Sequence, residues 1–475
     1  MNQKATLTWA LVAAGAVTRA ALAWTDHGMV WPDEIFQTAE QAHRWAFGFG
    51  MVPWEFREGA RSWLVPGVLG LLLKLFSALG ADTGLSLMRA LKLSCVAANV
   101  AGGVVLVRLV ARRSGASAAL LAAALWAAFP WELAFAHRTM GEMLAAPLLV
   151  GAAYWLEGEA QHSSWRPWGA GALAGLAFSA RYQTALISLA LGFPHLLARR
   201  DWRRAGAFLG GGAVVFALGG ALDWVTWGKP FHALATYVRF NFLEGRSAQF
   251  GIEPWWLYLS AFALTLGPLA IALLGGWFLA VKSKAAPTWV AATLVFIAVH
   301  SFVSHKELRF ILSVVPFMLA AAAVGLGPVL ARWKDADVGA AAALVLAGGF
   351  MTATLTFERM GQFRGQPELT ARSPFKFCDD STQLASQVGA ASDSCGLVWH
   401  GVMWAPGAAY LHKEIPQFWG LNQPNAQSGN YLIAASNASV PSFYEKRGER
   451  GDFTLYRREG ACVPAAGFDW NMPGP

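Results

Sequence analysis

The sequence predicts a polytopic α-helical membrane body followed by a small water-facing α/β domain, and three observations carry that expectation. Of its 475 residues 55% are hydrophobic and only 14% are charged, whereas a soluble globular chain carries about 25% charged residues. Apolar runs long enough to cross about 30 Å of hydrocarbon recur from the N-terminus to about Phe357 and then stop. Cationic residues collect in short hinges between those runs: Arg112-Arg113, Arg199-Arg200 with Arg203-Arg204, Lys282 with Lys284, and Arg332 with Lys334. That is the charge pattern of cytoplasmic loops. The division expected is 1–357 for the membrane body and 358–475 for an extracytoplasmic domain.

The net charge of +8 does not imply nucleic acid, because much of the excess sits in those membrane hinges. The first apolar run, 5–24, follows Lys4 and lacks a convincing small-residue cleavage site, so it reads as an uncleaved helix. Using the hinges as markers of the inner side, runs 85–110, 118–136, 143–156, 168–180, 184–197, 205–225, 255–281, 287–304, 310–331 and 338–356 alternate after it, giving about eleven spans. The stretch 62–79 fits that alternation only if it dips along the outer face. Its short length, Pro66 and Lys74 favour this.

This arrangement gathers segments 25–61, 136–142, 226–254 and 304–309 on the outer side, and these hold charged, His and Trp residues in unusual density. In the first, Pro32 followed by Asp33-Glu34 can start a helix, where acids suit the dipole. The same carboxylates suit general-base work. A transferase that moves a sugar from a lipid phosphate needs a base for the acceptor hydroxyl. It needs no strong acid, since phosphate is already a good leaving group. Asp33 and Glu34 are the candidate catalytic residues. The cations such a donor requires are available as His137-Arg138 and as His305, Lys306 and Arg309, with Glu307 placed to hold the last group in order. Arg181 falls at the tip of a short out-and-back pair of runs, on the same side. Trp54, Glu55, Glu142 and Asn241 are candidates for acceptor or sugar contact; Trp54 can stack on a sugar ring.

Four segments occur in order: Trp31-Pro-Asp-Glu-Ile-Phe-Gln37; Pro53-Trp-Glu-Phe56 with Arg61-Ser62; Phe240-Asn-Phe242 through Phe250-Gly-Ile-Glu-Pro-Trp-Trp-Leu-Tyr258; and His305-Lys-Glu-Leu-Arg-Phe310. Together they resemble the family 22 glycosyltransferases, the mannosyltransferases of the dolichol-oligosaccharide and glycosylphosphatidylinositol pathways. The resemblance implies a GT-C type fold with re-entrant or amphipathic helices in the first outer loop, in agreement with the charge argument for 62–79. It implies inverting transfer from a polyprenyl-phosphate-mannose donor to a lipid-linked glycan or glycolipid, with no metal and no cofactor. It matches Asp33 to the acidic base, and Lys306 with Arg309 to the donor-phosphate region. Trp31 stands where the family has His, Pro53 where it has Thr, Phe56 where it has Trp, and Phe250 where it has Tyr.

The Ala- and Gly-rich helices look bacterial, which would put the site at the periplasmic face of the inner membrane; in a eukaryote it would face the ER lumen. A monomer working with membrane lipids is expected. A transporter or flippase of lipid-linked sugars would show charges inside spans and repeated helices, and the runs show neither. A GT-C transferase for another sugar is the alternative within the same chemistry. No phosphate-binding loop, paired-cysteine zinc site or serine elbow occurs. Gly102-Gly103 and Gly210-Gly211-Gly212 lie inside apolar runs and read as close helix packing. Of four cysteines, Cys378, Cys395 and Cys462 lie in the C-terminal domain, where Cys378–Cys395 is the disulfide expected in an oxidising compartment. Short strands are expected near 395–400, 430–435 and 452–456.

Overall fold

The computed structural model describes residues 3–157, 165–198, 201–459 and 468–472; the hinge pair Arg199-Arg200 and Cys462 lie outside them. Every apolar run of the sequence is mainly helical, in one piece or two. Five helices are long and apolar enough to cross a membrane: Gln3–Thr25, Gly84–Ala128, Trp202–Trp227, Leu308–Leu330 and Ala336–Ala353. Leu257–Leu266 with Pro268–Lys282 adds a sixth if that bent pair is one span. Leu64–Ala78, Gly141–Leu156 and Pro287–Phe302 are shorter apolar helices. The count by length falls below eleven partly because the 45-residue stretch Gly84–Ala128 joins two expected runs. They meet at Gly115, whose φ of 81° and ψ of −171° are non-helical, directly after the Arg112-Arg113 hinge. The expected continuous run 255–281 is instead broken by 113° at Gly267 (φ 48°, ψ −120°), with Pro268 opening the second helix. Proline suits a first helical position because it has no N–H to leave unsatisfied.

The chain forms two compact units. The first comprises Met1–Leu22, Ser94–His137 and Gly141–Pro374. Its helices approach through glycine: a Cβ on Gly325 would lie 2.0 Å from the Gly276 carbonyl oxygen, and one on Gly211 would lie 1.9 Å from that of Trp168. Small residues at such crossings let backbones pack where lipid supplies no hydrophobic drive. A buried charge ties three of its helical segments together. Arg19 Nε donates to Asn99 Oδ1 at 3.0 Å, Asn99 Nδ2 donates to Glu132 Oε2 at 2.7 Å, and the Arg19 guanidinium lies 3.9 Å from the same oxygen. The expectation that charges stay out of the spans is corrected here: Arg19, Lys92, Glu132 and Asp223 are buried in helices or at their ends. Arg19, Glu132 and Asp223 are each the single charge of an apolar run, and the partners of Arg19, Lys92 and Glu132 lie 33 to 80 residues or more away, so no periodicity reveals them.

The second unit comprises Ala23–Leu93, Arg138–Met140 and Phe375–Pro475. Its sheet contains β1 (Leu397–His400), β2 (Gln417–Trp419), β3 (Tyr431–Ala435), β4 (Tyr444–Arg450) and β5 (Phe453–Arg458), in the order β2-β1-β3-β5-β4. β1 runs parallel to β2 and β3, while β5 is antiparallel to β3 and β4. β1, β3 and β5 fall where short strands between turns were expected; β2 and β4 were not foreseen. One face buries Val398, Phe418, Leu432 and Tyr444. Leu397, Trp399, Ile433 and Leu455 join a core with Leu384 and Val388 from Asp379–Ala390 and with Met29, Ile35, Phe36, Leu69 and Leu91. The C-terminal sheet and residues 29–91 therefore share one hydrophobic core. Leu64–Ala78 packs against Glu40–Phe47 in this unit. Cys378 carries a thiol and Cys395 is disulfide-bonded, so the expected Cys378–Cys395 pairing is corrected. Cys378 opens the helix Asp379–Ala390 in a left-handed conformation with φ 60°, whereas Cys395 precedes β1.

Candidate active site

Asp33, Glu34, Trp54, Glu55 and Arg138 belong to the second unit; His137, Glu142, Arg181, Asn241, His305, Lys306 and Arg309 belong to the first.

In the second unit Pro32 starts a helix, its carbonyl accepting from Ile35 N at 3.0 Å and Phe36 N at 2.8 Å. The first turns are a π-helix, Ile35–Ala39, followed by Glu40–Phe47. Such π insertions are frequent at functional sites because they turn side chains out of the regular face. Asp33 is half-buried at this start. Glu34 is buried, and its Oε1 accepts from Val30 N at 2.8 Å and from Arg138 Nη1 at 3.1 Å. Burial pushes the Glu34 carboxyl up, and Arg138 and Lys92 pull it back only in part. Glu55 is buried on Trp54–Arg57, with Oε1 accepting from Gln37 Nε2 at 2.8 Å. Burial and then the neighbouring Asp33 carboxylate push Glu55 up to about 7, against the pull of Arg61. Asp33 and Glu55 thus form a carboxylate pair, and Trp54 sits half-buried beside Glu55.

Arg138 has no exposed surface. Its guanidinium meets Asp26 Oδ2 at 2.9 Å, Glu34 Oε1 at 3.1 Å and the Gly28 carbonyl at 3.1 Å. Sequence reading missed Asp26 and Lys92, which complete this group: Lys92 Nζ donates to the carbonyls of Asp26 and Gly28 at 2.7 and 2.8 Å. A lysine inside an apolar run was the signal available.

In the first unit the segment 305–310 folds about one carboxylate. Glu307 Oε1 lies 3.1 Å from His305 Nε2, and its Oε2 accepts from Arg309 Nε. Burial alone would raise the Glu307 carboxyl, but Arg309 and His305 outweigh it and hold it at about 2. His305 is raised, its bond to Glu307 overcoming burial. Lys306 is buried and donates to the Glu253 carbonyl at 2.6 Å, and burial lowers its pKa. Arg181 joins this group across an aromatic ring: its guanidinium carbon lies 5.2 Å from the Phe310 centroid and that of Arg309 lies 5.0 Å away. Arg181 pairs with buried Glu142 at 3.0 Å. Tyr258 is buried and within electrostatic reach of Glu307, Arg181 and Arg309; the sequence offered it only as the last letter of a motif. His137 is fully buried. Asn241 donates to the Tyr237 carbonyl at 2.9 Å, and Tyr237 OH accepts from Gln183 Nε2 at 2.5 Å. The arrangement can hold a phosphoryl group among several cations, two of which, His305 and Arg309, are held by the Glu307 carboxylate. Among the described residues no three His, Cys, Asp or Glu are grouped as metal ligands.

Residues 8–400 match the model of the Alg9-like mannosyltransferase family. The chain belongs to that family. A GPI mannosyltransferase 3 of Yarrowia lipolytica is 30% identical over 315 residues, 65% of this chain and 60% of the relative, so the chain spans under two thirds of that relative's length. The fold is shared with ArnT from Cupriavidus metallidurans bound to undecaprenyl phosphate, at a TM-score of 0.63 and 15% identity, covering 94% of this chain and 97% of that one. It is also shared with the archaeal oligosaccharyltransferase AglB from Archaeoglobus fulgidus in complex with an inhibitory peptide and a dolichol-phosphate, at 0.53 and 12%, covering 91% and 69%. This Alg9-like chain is an integral membrane protein of GT-C fold.

Proposed function

We propose that the protein transfers mannose, with inversion, from a polyprenyl-phosphate-mannose donor to a hydroxyl of a lipid-linked glycan or glycolipid at the non-cytoplasmic face of the membrane. The observation that carries this reading is the group on 305–310, in which Glu307 orders His305 and Arg309 while Arg181 shares the Phe310 ring, in a member of a mannosyltransferase family. Two proteins of the same fold hold polyprenyl phosphates.

In the transfer Asp33 takes the proton of the acceptor hydroxyl as that oxygen bonds to C1 of the mannose. The C1–O bond to phosphate breaks, and its electron pair leaves with the polyprenyl phosphate. His305, Lys306, Arg309 and Arg181 neutralise the departing phosphate, and His137 serves the same donor. Trp54, Glu55, Glu142 and Asn241 contact sugar or acceptor. The disulfide at Cys395 supports an oxidising, non-cytoplasmic side for the second unit.

The test is incubation of the purified protein with radiolabelled polyprenyl-phosphate-mannose and a membrane lipid extract. Label should pass into a lipid fraction and free polyprenyl phosphate should accumulate. Absence of incorporation from this donor, with incorporation from a polyprenyl-phosphate carrying another sugar, overturns the assignment of mannose. Label moving only from a sugar nucleotide overturns the donor class.

A further inference from the structure

Four charged side chains in the second unit, Asp26, Glu34, Lys92 and Arg138, are each no more than 3% exposed. Two are acids and two are bases, so the group is neutral as a whole. Buried ion groups are poor sources of stability, since apolar residues of similar volume often do as well or better. What such a group does supply is defined geometry.

Here the geometry concerns one stretch of backbone. Residues 26–31 lack helix or strand, so side chains must set their path. Arg138 reaches the Asp26 carboxylate and Gly28 carbonyl at one end and the Glu34 carboxylate at the other. Lys92 spends its donors on the carbonyls of Asp26 and Gly28. Asp26 Oδ1 accepts from Gly28 N at 2.9 Å, and Glu34 Oε1 accepts from Val30 N at 2.8 Å. The Glu34 carbonyl accepts from the hydroxyls of Thr38 and Thr139, each at 2.6 Å. The C-terminal segment closes the same loop, since Met29 N donates to Phe377 O at 2.8 Å and His27 N to Asp379 Oδ1 at 2.6 Å. A Cβ on Gly28 would stand 1.9 Å from Phe377 O, so this contact tolerates no side chain. Asp33 is the residue before Glu34.

We propose that Arg138 and Lys92, with Asp26 and Glu34, form a clamp that sets loop 26–34 and thereby aims the Asp33 carboxylate, and that Arg138 and Lys92 are positioning residues. This rests on the reading of Asp33 as the base. It gives the C-terminal segment a place in the mechanism, as the outer wall of that loop. It also assigns Arg138 to the base and not to the donor phosphate.

The experiment compares wild type with Lys92→Met, Arg138→Lys, Gly28→Ala and Asp33→Asn, all full-length in lipid nanodiscs. It measures the transfer rate at saturating donor, the donor KM, binding of polyprenyl phosphate and the thermal midpoint. Displacing a base by a fraction of an ångström lowers turnover by roughly 10–100-fold. Lys92→Met and Arg138→Lys should therefore lose about that much kcat, with donor KM and polyprenyl phosphate binding within about twofold of wild type. Gly28→Ala keeps all four charges and should show the same split, which keeps the test decisive if a charge variant does not fold. Folded variants with kcat unchanged, or with the whole loss in donor KM, overturn the clamp. Full activity in Asp33→Asn overturns the underlying reading instead.

Discussion

Glu40 offers a quantitative test of how the second unit joins the helix Glu40–Phe47 to the C-terminal part of the chain. It is fully buried; its Oε1 accepts from Met51 N at 2.6 Å and Ala408 N at 3.0 Å, and its Oε2 accepts from Ala409 N at 2.8 Å. One carboxylate thus holds two distant segments, and Glu40→Gln turns one of its oxygens into a donor facing an N–H. A buried donor left unsatisfied costs about 1–3 kcal/mol at any pH. A second effect depends on pH. Burial pushes the Glu40 carboxyl up to about 7 from 4.5, against the pull of the three N–H groups. Folding therefore favours its protonated form, so this contribution is fully present below pH 4.5 and is lost as pH rises through 7. The loss amounts to about 3 kcal/mol, and glutamine has no such dependence. Relative to wild type, the variant should gain about 3 kcal/mol between pH 4.5 and pH 8. Denaturant unfolding of the two proteins at both pH values measures this, with hydrogen exchange at Met51, Ala408 and Ala409 locating it. A stability difference that is flat with pH, or that moves the other way, refutes the reasoning.

Glu307 should behave oppositely. Because Arg309 and His305 hold it at about 2, its contribution is present above pH 4.5 and lost as pH falls toward 2, by about 3 kcal/mol; exchange protection of 304–310 should fade over that range in wild type and show no such dependence in Glu307→Gln. Glu55, pushed to about 7 by burial and by Asp33, should ionise near neutral pH and then hold an acceptor hydroxyl as a charged hydrogen-bond acceptor. The rate per substrate should then rise through pH 7 in wild type and lose that limb in Glu55→Gln, as a pH profile of kcat/KM will show. Glu142→Ala removes the buried carboxylate paired with Arg181 at 3.0 Å and should cost about 3–5 kcal/mol, read as a lowered unfolding midpoint.

Helices were legible because each apolar run is long, and the Arg112-Arg113 hinge marked the true break at Gly115. The bend at Gly267 was not read, although Gly-Pro inside an apolar run is a breaker, because hydropathy dominates such a window. In the C-terminal part, β1, β3 and β5 are short stretches of aliphatic and aromatic residues between turns. β2 has only three residues, and β4 is largely exposed, so neither carries an apolar pattern. The segment 305–310 could be read because His, Lys, Glu and Arg lie within five residues and pair locally. Arg138 could not: its partners Asp26 and Glu34 are 112 and 104 residues away, and pairing at that separation leaves no local trace. A still longer separation, 352 residues between His27 and Asp379, hid the share that Phe377 and Asp379 take in the loop 26–34.

The account stands most directly on Asp33. Single-turnover transfer from a radiolabelled polyprenyl-phosphate-mannose donor should fall by roughly 10²–10⁴-fold in Asp33→Asn, while polyprenyl phosphate binds as in wild type and the protein unfolds at the same temperature. Transfer at the wild-type rate by that folded variant would contradict it.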